Sequence, residues 1–222
     1  MAIPCLIPLG SYRAYAPEEM IQRAASFRAE MQRRRTVRHF SSRPVPRQVI
    51  EECLLTASSA PSGANLQPWH WVVVSDPALK HQIREQAERQ EREFYRRQST
   101  QQWRDDLVPL GTDEHKPFLE AAPHLIVVFS QRYRLLPDGR HARNYYVTES
   151  VGIATGMLIT AIHNAGLVAL TYTPSRMSFL NRILERPDNE RPFLILVVGY
   201  PAEDALVPEL EKKPLQDVVT FV

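Results

Sequence analysis

His124-Leu-Ile-Val-Val-Phe129 is an unbroken apolar run, entered through Ala122-Pro123 and left at Ser130-Gln131. A run this short is far below the ~18 apolar residues of a membrane span and suits a strand covered on both faces. Trp69-His-Trp-Val-Val-Val74, Leu167-Val-Ala-Leu-Thr171 and Phe193-Leu-Ile-Leu-Val-Val198 have the same character. Helical patterns separate them. Pro17-Glu-Glu opens a helix with a proline and two acids in its first turn, and that helix runs into Arg33-Arg34-Arg35. A second begins near Pro46, carries Val49, Ile50, Cys53, Leu54 and Leu55 at helical spacing, and stops before Ala60-Pro61-Ser62-Gly63. Asp76-Pro77 caps a long charged helix expected to reach about Trp103, and residues 104–122 read as the least regular stretch. Residues 145–165 carry small and apolar groups around most of a helix, and Ser175–Leu184 reads as a short one. The tail, Val218-Val-Thr-Phe-Val222, has a strand pattern with no local partner. Helices alternating with strands make the class α/β (α+β): a three-layer mixed sheet flanked by helices, in one domain spanning residues 1–222.

Composition excludes several functions. The 222 residues include 27 Lys+Arg against 25 Asp+Glu, a net charge of +2, too balanced for a dedicated nucleic-acid binder. At 44% hydrophobic and 23% charged the chain is not intrinsically disordered. Cys5 and Cys53 cannot make a disulfide framework, which suits a reducing, cytoplasmic compartment. The opening segment has two prolines and no basic region, so it is not read as a signal peptide, and no membrane span is expected. GxGxxG, GxxxxGK[ST], HExxH and GxSxG are all missing, and the histidines lack ligand spacing, so no dinucleotide fold, P-loop, metal centre or serine-hydrolase elbow is indicated.

Three stretches carry chemistry. In extended Arg34-Arg35-Thr36-Val37-Arg38, alternate side chains share a face, giving two guanidiniums and a hydroxyl suited to a phosphate; the alternative is a solvated charge run. Pro61-Ser62-Gly63-Ala64 is a rigid turn whose N–H groups can face an anion, or a plain connection. Thr171-Tyr172-Thr173-Pro174 leaves a buried strand, where a hydroxyl can meet a ligand, though strand-end threonines are common. Glu91 and Tyr95, at i and i+4, share a helix face, and with Lys116 they offer both signs to a zwitterion; otherwise they belong to a charged surface helix.

Taken together with Asn164-Ala-Gly-Leu167 and Val198-Gly-Tyr-Pro201, these stretches resemble, from about residue 30 onward, the FMN-dependent nitroreductase superfamily. Glu91-Arg-Glu-Phe-Tyr95, Trp103 and Lys116 resemble the substrate lid of its iodotyrosine deiodinase branch. The resemblance implies FMN held by Arg34, Arg35, Thr36, Arg38, Pro61, Ser62, Gly63, Thr171, Tyr172, Thr173 and Lys212. It implies an Ala64 N–H donating to a substrate phenolate and a Thr173 hydroxyl donating to flavin N5, these two being the catalytic positions. Glu91, Tyr95 and Lys116 would clamp the amino-acid end of a halotyrosine, under a lid of residues 88–118 expected to be mobile without substrate. Asn65, Gln67 and Tyr172 depart from the vertebrate pattern, and the vertebrate membrane anchor is missing, which implies a soluble copy. A homodimer is implied, its C-terminal arm, about 206–222, exchanged with the partner, together with an external electron donor, NAD(P)H directly or a flavin reductase. The implied activity is reductive dehalogenation of halotyrosines. The alternatives are a general NAD(P)H-dependent nitro or quinone reductase, and a non-catalytic flavin- or tyrosine-binding protein.

Overall fold

A computed structural model describes residues 5–222, so the first part of the opening segment lies outside the described residues. The chain divides after Arg34. The first unit is built on helix α1 (Pro17–Arg33), with Glu18 and Glu19 at its positive end and Arg33 in its last turn. Within it Arg23 pairs with Glu19 at 2.8 Å and lies 4.0 Å over the Tyr15 ring.

In the second unit, strands β1 (Trp69–Val74), β2 (His124–Gln131), β5 (Val168–Tyr172) and β6 (Glu190–Gly199) form one sheet in the order β1-β2-β6-β5. Every ladder in it is antiparallel; its mixed character rests on one parallel bridge, Thr36 to Ala169. The pleat of β2 sorts the core. Leu125, Val127 and Phe129 face helices α3 (Pro77–Arg97), α5 (Phe118–Ala121) and α7 (Phe179–Ile183), while Ile126 faces α2 (Arg47–Ser58) and α6 (Val147–Asn164). Two helical layers therefore sandwich the sheet, and each large side chain so enclosed contributes about 1.5–3 kcal/mol.

Three local expectations change, and one hairpin is added. The long charged helix stops at Arg97, because Thr100 accepts the Trp103 N–H at 3.2 Å and starts a new helix, α4 (Gln101–Leu107). With α4, a 3₁₀ turn at Val108–Leu110 and α5, only residues 111–117 and 122 of the stretch read as irregular lack regular structure. A hairpin of β3 (Tyr133–Leu135) and β4 (His141–Arg143) turns through Pro137-Asp138-Gly139, with Gly139 at φ +80°. No strand forms over 218–222; Leu215–Asp217 makes one 3₁₀ turn and the rest is exposed, since a strand without a ladder partner has nothing to bond to. No helix among the described residues is long and apolar enough to cross a membrane.

Candidate functional site

Helix α3 buries the stripe Lys80, Ile83, Ala87 and Glu91: an apolar middle with a charged residue at each end. Lys80 donates to the carbonyls of Glu120 and Ala122, 2.9 and 2.7 Å away, capping α5 and fixing where the connection from α4 returns. Glu91 is 7% exposed and Lys116 3%. Their charged ends lie 3.7 Å apart, Oε2 to Nζ. The Tyr172 hydroxyl donates to the other Glu91 oxygen at 3.5 Å, and Lys116 also donates to Thr112 Oγ1 and the Asp113 carbonyl. Burial pushes the Glu91 carboxyl up and the Lys116 ammonium down, and their attraction opposes both shifts.

One turn before Glu91, Glu88 accepts the Lys116 backbone N–H at 2.8 Å and the Arg84 side chain at 2.8 Å. Burial works against the Glu88 charge, but these donors outweigh it and hold the carboxyl below its ordinary range. One turn after Glu91, the Tyr95 hydroxyl points to the Thr112 carbonyl at 3.5 Å, with Trp103 edge-on to its ring at 5.3 Å. The helix break at Gln98–Thr100 is what returns Trp103 onto Phe94 and Tyr95. Glu91, Tyr95 and Lys116 are therefore brought together. Glu88, Lys80 and Thr112 support them and went unread in the sequence; Glu88, three residues before Glu91 on the same face, was the available signal.

The turn after α2 is strained. Ala64, Asn65 and Gln67 have φ of +51°, +53° and +48°, a region that costs an L-residue about 1 kcal/mol or more. The strain has a consequence for hydrogen bonding. The N–H groups of Gly63, Asn65, Leu66 and Gln67 find acceptors at Ser150 Oγ, Ser62 O, Gly63 O and Ser62 Oγ. That of Ala64 has none among the described residues and is left for a ligand. Gly63 has to be glycine here, because a Cβ would meet the Tyr145 carbonyl at 2.8 Å. A cavity of about 670 Å³, lined in part by Arg132, Asn144, Tyr145, Tyr146 and Arg191, opens beside this turn. Pro61 and Ala64 are exposed, Ser62 and Gly63 half-buried.

At the other edge of the sheet, the Thr36–Ala169 bridge lays the segment from Arg35 along β5. Arg38 is half-buried, and burial alone lowers its pKa. No ion pair reaches it among the described residues, so it is a partly desolvated cation that an anion would stabilise. Arg35 donates to the Pro208 carbonyl, which ties down the start of the C-terminal arm. Arg34 closes the first unit, its N–H bonded to the Met31 carbonyl. Thr171 and Thr173 are exposed, and so is Lys212, in the arm. Tyr172 departs from the expectation of a flavin contact. Strand alternation sends it to the opposite face, into the α3 core, with Phe118 edge-on at 5.6 Å and Lys116 5.7 Å from its ring.

The donors thus form two groups. The Pro61–Ala64 turn leads into β1, while Thr171 and Thr173 leave β5, and β1 and β5 are opposite edges of the sheet, three strand spacings or about 14 Å apart. The donor set suits a phosphorylated, flat, polar ring system: cation and hydroxyl at one edge, a free N–H at the other. No group of three or more acidic, His or Cys residues that could hold a metal occurs among the described residues.

A profile of the nitroreductase family matches residues 31–200. An iodotyrosine deiodinase of Haliscomenobacter hydrossis is 57% identical over 210 residues, 95% of this chain and 94% of its own length. Human iodotyrosine deiodinase 1 is 40% identical over 213 residues, 96% of this chain and 74% of its own. A crystal structure of oxidized iodotyrosine deiodinase bound to FMN and 3-iodo-L-tyrosine superposes with a TM-score of 0.76 at 32% identity, over 88% of this chain and all of that one.

Proposed function

The chain belongs to the nitroreductase family, and on that premise we propose that it is an FMN-dependent enzyme that removes halide reductively from halotyrosines. The observation that carries this reading is the buried Glu91–Lys116 pair, which joins α3, where Tyr95 lies one turn on, to the segment that leads into α5. Burying two opposite charges is costly and contributes little stability by itself. A carboxylate and an ammonium held together in a dry site are what the ammonium and carboxylate of an amino acid would exchange with. The relatives named for iodotyrosine, one of them with FMN and 3-iodo-L-tyrosine in place, support the same reading.

Each residue then has a task. Arg35, Thr36 and Arg38 hold the FMN phosphate, and Lys212 adds a cation from the arm. Pro61, Ser62 and Gly63 flank the flavin, and the Ala64 N–H receives the substrate phenolate. Thr171 and Thr173 present hydroxyls to the ring. Glu91 takes the substrate ammonium, and Lys116 and Tyr95 take its carboxylate. Bound FMN supplies the two electrons. Replacing C–I by C–H consumes those electrons and one proton and releases iodide. Holding the phenolate at Ala64 favours protonation of the ring carbon that loses the halide, and closure of the lid formed by residues 88–118 keeps water out.

A homodimer fits the separation of the donors: a second copy can bring its Pro61–Ala64 turn to the first copy's Thr171 and Thr173. The exposed apolar tail residues Leu206, Leu210, Leu215, Val218 and Phe221 fit an arm, about 206–222, lying on that partner. The electron donor is NAD(P)H or a separate flavin reductase, and the compartment is cytoplasmic.

Anaerobic, dithionite-reduced, FMN-loaded protein given 3-iodo-L-tyrosine tests the reading. Tyrosine and iodide are expected in equal amounts, one pair per flavin reoxidised. Reduction of a nitroarene by NAD(P)H with no iodide released from iodotyrosine would replace this reading by the general reductase.

A further inference from the structure

Tyr172 sits between the two threonines assigned to the flavin, yet its side chain is on the other face of β5, among the groups assigned to the substrate's amino-acid end. It touches three parts of the lid. Its hydroxyl reaches Glu91 Oε1 at 3.5 Å, its ring lies 5.7 Å from the Lys116 ammonium, and Phe118 packs edge-on against it. Residue 172 is 8% exposed, so the hydroxyl is not there to meet water.

The Glu91–Lys116 pair has an inherent difficulty. A zwitterion that draws the ammonium of Lys116 to its own carboxylate loosens the 3.7 Å contact which now helps Glu91 stay charged. The substrate ammonium that then pairs with Glu91 arrives and leaves with the ligand, so a donor that stays in place keeps the buried carboxylate oriented and charged through the exchange. The charged and titratable groups around Glu91 are Lys116 from the returning segment, Glu88 and Tyr95 on α3 itself, Asp113 beside Lys116, and Arg38, near enough to act on Lys116. Of these, the acids repel it and the cations belong to ligand groups. Tyr172, approaching from β5, is the one neutral donor bonded to it among the described residues. Burial and the Glu91 charge push the Tyr172 phenol up, which keeps it protonated and donating.

We propose that Tyr172 is a positioning residue that holds Glu91 oriented and ionised while Lys116 is engaged by the substrate carboxylate, and so determines specificity for the amino-acid end of the substrate. The proposal rests on the halotyrosine reading above. Because its backbone lies between Thr171 and Thr173, Tyr172 also references the clamp to the strand that meets the flavin, not to the lid alone.

Tyr172→Phe keeps the ring packing and removes only the hydroxyl. The measurement is quenching of flavin fluorescence in FMN-loaded protein by 3-iodo-L-tyrosine and by 2-iodophenol, from pH 5 to 9. In the variant, the iodotyrosine Kd is expected to rise about tenfold, the loss of one hydrogen bond to a charged group, and the ratio of iodophenol Kd to iodotyrosine Kd to fall by the same factor. The acid limb of iodotyrosine binding should move to higher pH, since Glu91 then ionises less readily. In a Glu91→Gln background the same substitution should add little, as expected of residues acting as a unit. Equal weakening of both ligands, or an unchanged ratio and pH profile while the parent protein still prefers iodotyrosine, overturns this proposal alone. A parent protein that binds both ligands alike overturns the halotyrosine reading, and this proposal with it.

Discussion

Glu91 and Lys116 meet with both charges withdrawn from water, and the cost of that burial appears as opposite shifts in the two groups. Ligand capture by the pair needs both ionised. With Glu91 raised, capture fails sooner as pH falls; with Lys116 lowered, it fails sooner as pH rises. The binding profile for 3-iodo-L-tyrosine should therefore be a bell narrower on both sides than ordinary Glu and Lys values would give. Glu91→Gln should weaken that binding by about 1.5–3 kcal/mol, the worth of a hydrogen bond to a charged group, while FMN content and nitroarene reduction stay near the parent's. Flavin-fluorescence titration checks the first and absorbance at the flavin band the second. Arg38 presents the converse case, a half-buried cation that the chain does not pair. Arg38→Ala should cost FMN retention about 1.5–3 kcal/mol, read as the FMN Kd after dialysis and rebinding.

At the scale of elements, the charged helix expected to run to about Trp103 is two helices, and the break matters more than the length. Ser99-Thr100 was legible as a cap, but the high charge of the whole stretch masked it. Because of the break, α4 folds back and Trp103 covers Tyr95; a continuous helix would carry Trp103 away. A second joint ties the turn after α7 to β6. Arg186 grips Glu190 with two bonds, 2.7 and 3.0 Å, and Gln131 adds a third. Burial opposes the Glu190 charge, but these donors prevail and hold its pKa below the ordinary value. A depressed carboxylate contributes stability above its unfolded pKa and loses it as pH falls through the folded one. Acid unfolding should therefore steepen below the ordinary Glu range of about pH 4.3. Glu190→Gln should lower stability near neutral pH by about 2–3 kcal/mol, less than a fully buried pair because Arg186 can still reach water, and should flatten that acid limb in urea titrations.

For the whole molecule, the proposed reading asks donors on opposite edges of the sheet to serve one flavin, which a second copy would allow, and α6 offers the test. It buries Val151, Ala154, Leu158 and Ile162 on one side, and leaves Gly152, Ile153 and Gly156 exposed on the other. A Cβ at Gly156 would meet nothing within 4 Å in the single chain. A larger residue there removes a mid-helix glycine, worth roughly 0.5–1 kcal/mol to the helix, yet would wedge apart a second helix packed on this face. Gly156→Leu is expected to leave the fold intact by circular dichroism, shift sedimentation from dimer to monomer, and release FMN. A Gly156→Leu dimer that retains FMN would show that this face is not the contact.

Most of the helices and the four long strands were readable along the chain, because hydrophobic period and caps are local properties of sequence, but α4 and α5 were not. Glu91 and Tyr95 share a face by their i, i+4 spacing, yet with Lys116 they read as a clamp only through the family resemblance. The Arg34–Arg38 cluster was visible too, though from the residues alone a solvated charge run fitted it as well. The rest depended on neighbours distant in sequence. Antiparallel pairing of β5 with β6 sets which residues oppose one another, and the pleat then sends Tyr172 to Glu91 while Thr171 stays open. The free Ala64 N–H arises only once its four neighbours have found acceptors, one of them Ser150 on α6. The tail spells a strand, but a strand is a pairing, and within this chain residues 218–222 pair with no strand. Composition and period are carried by the residues themselves; partners come from the path of the backbone through space.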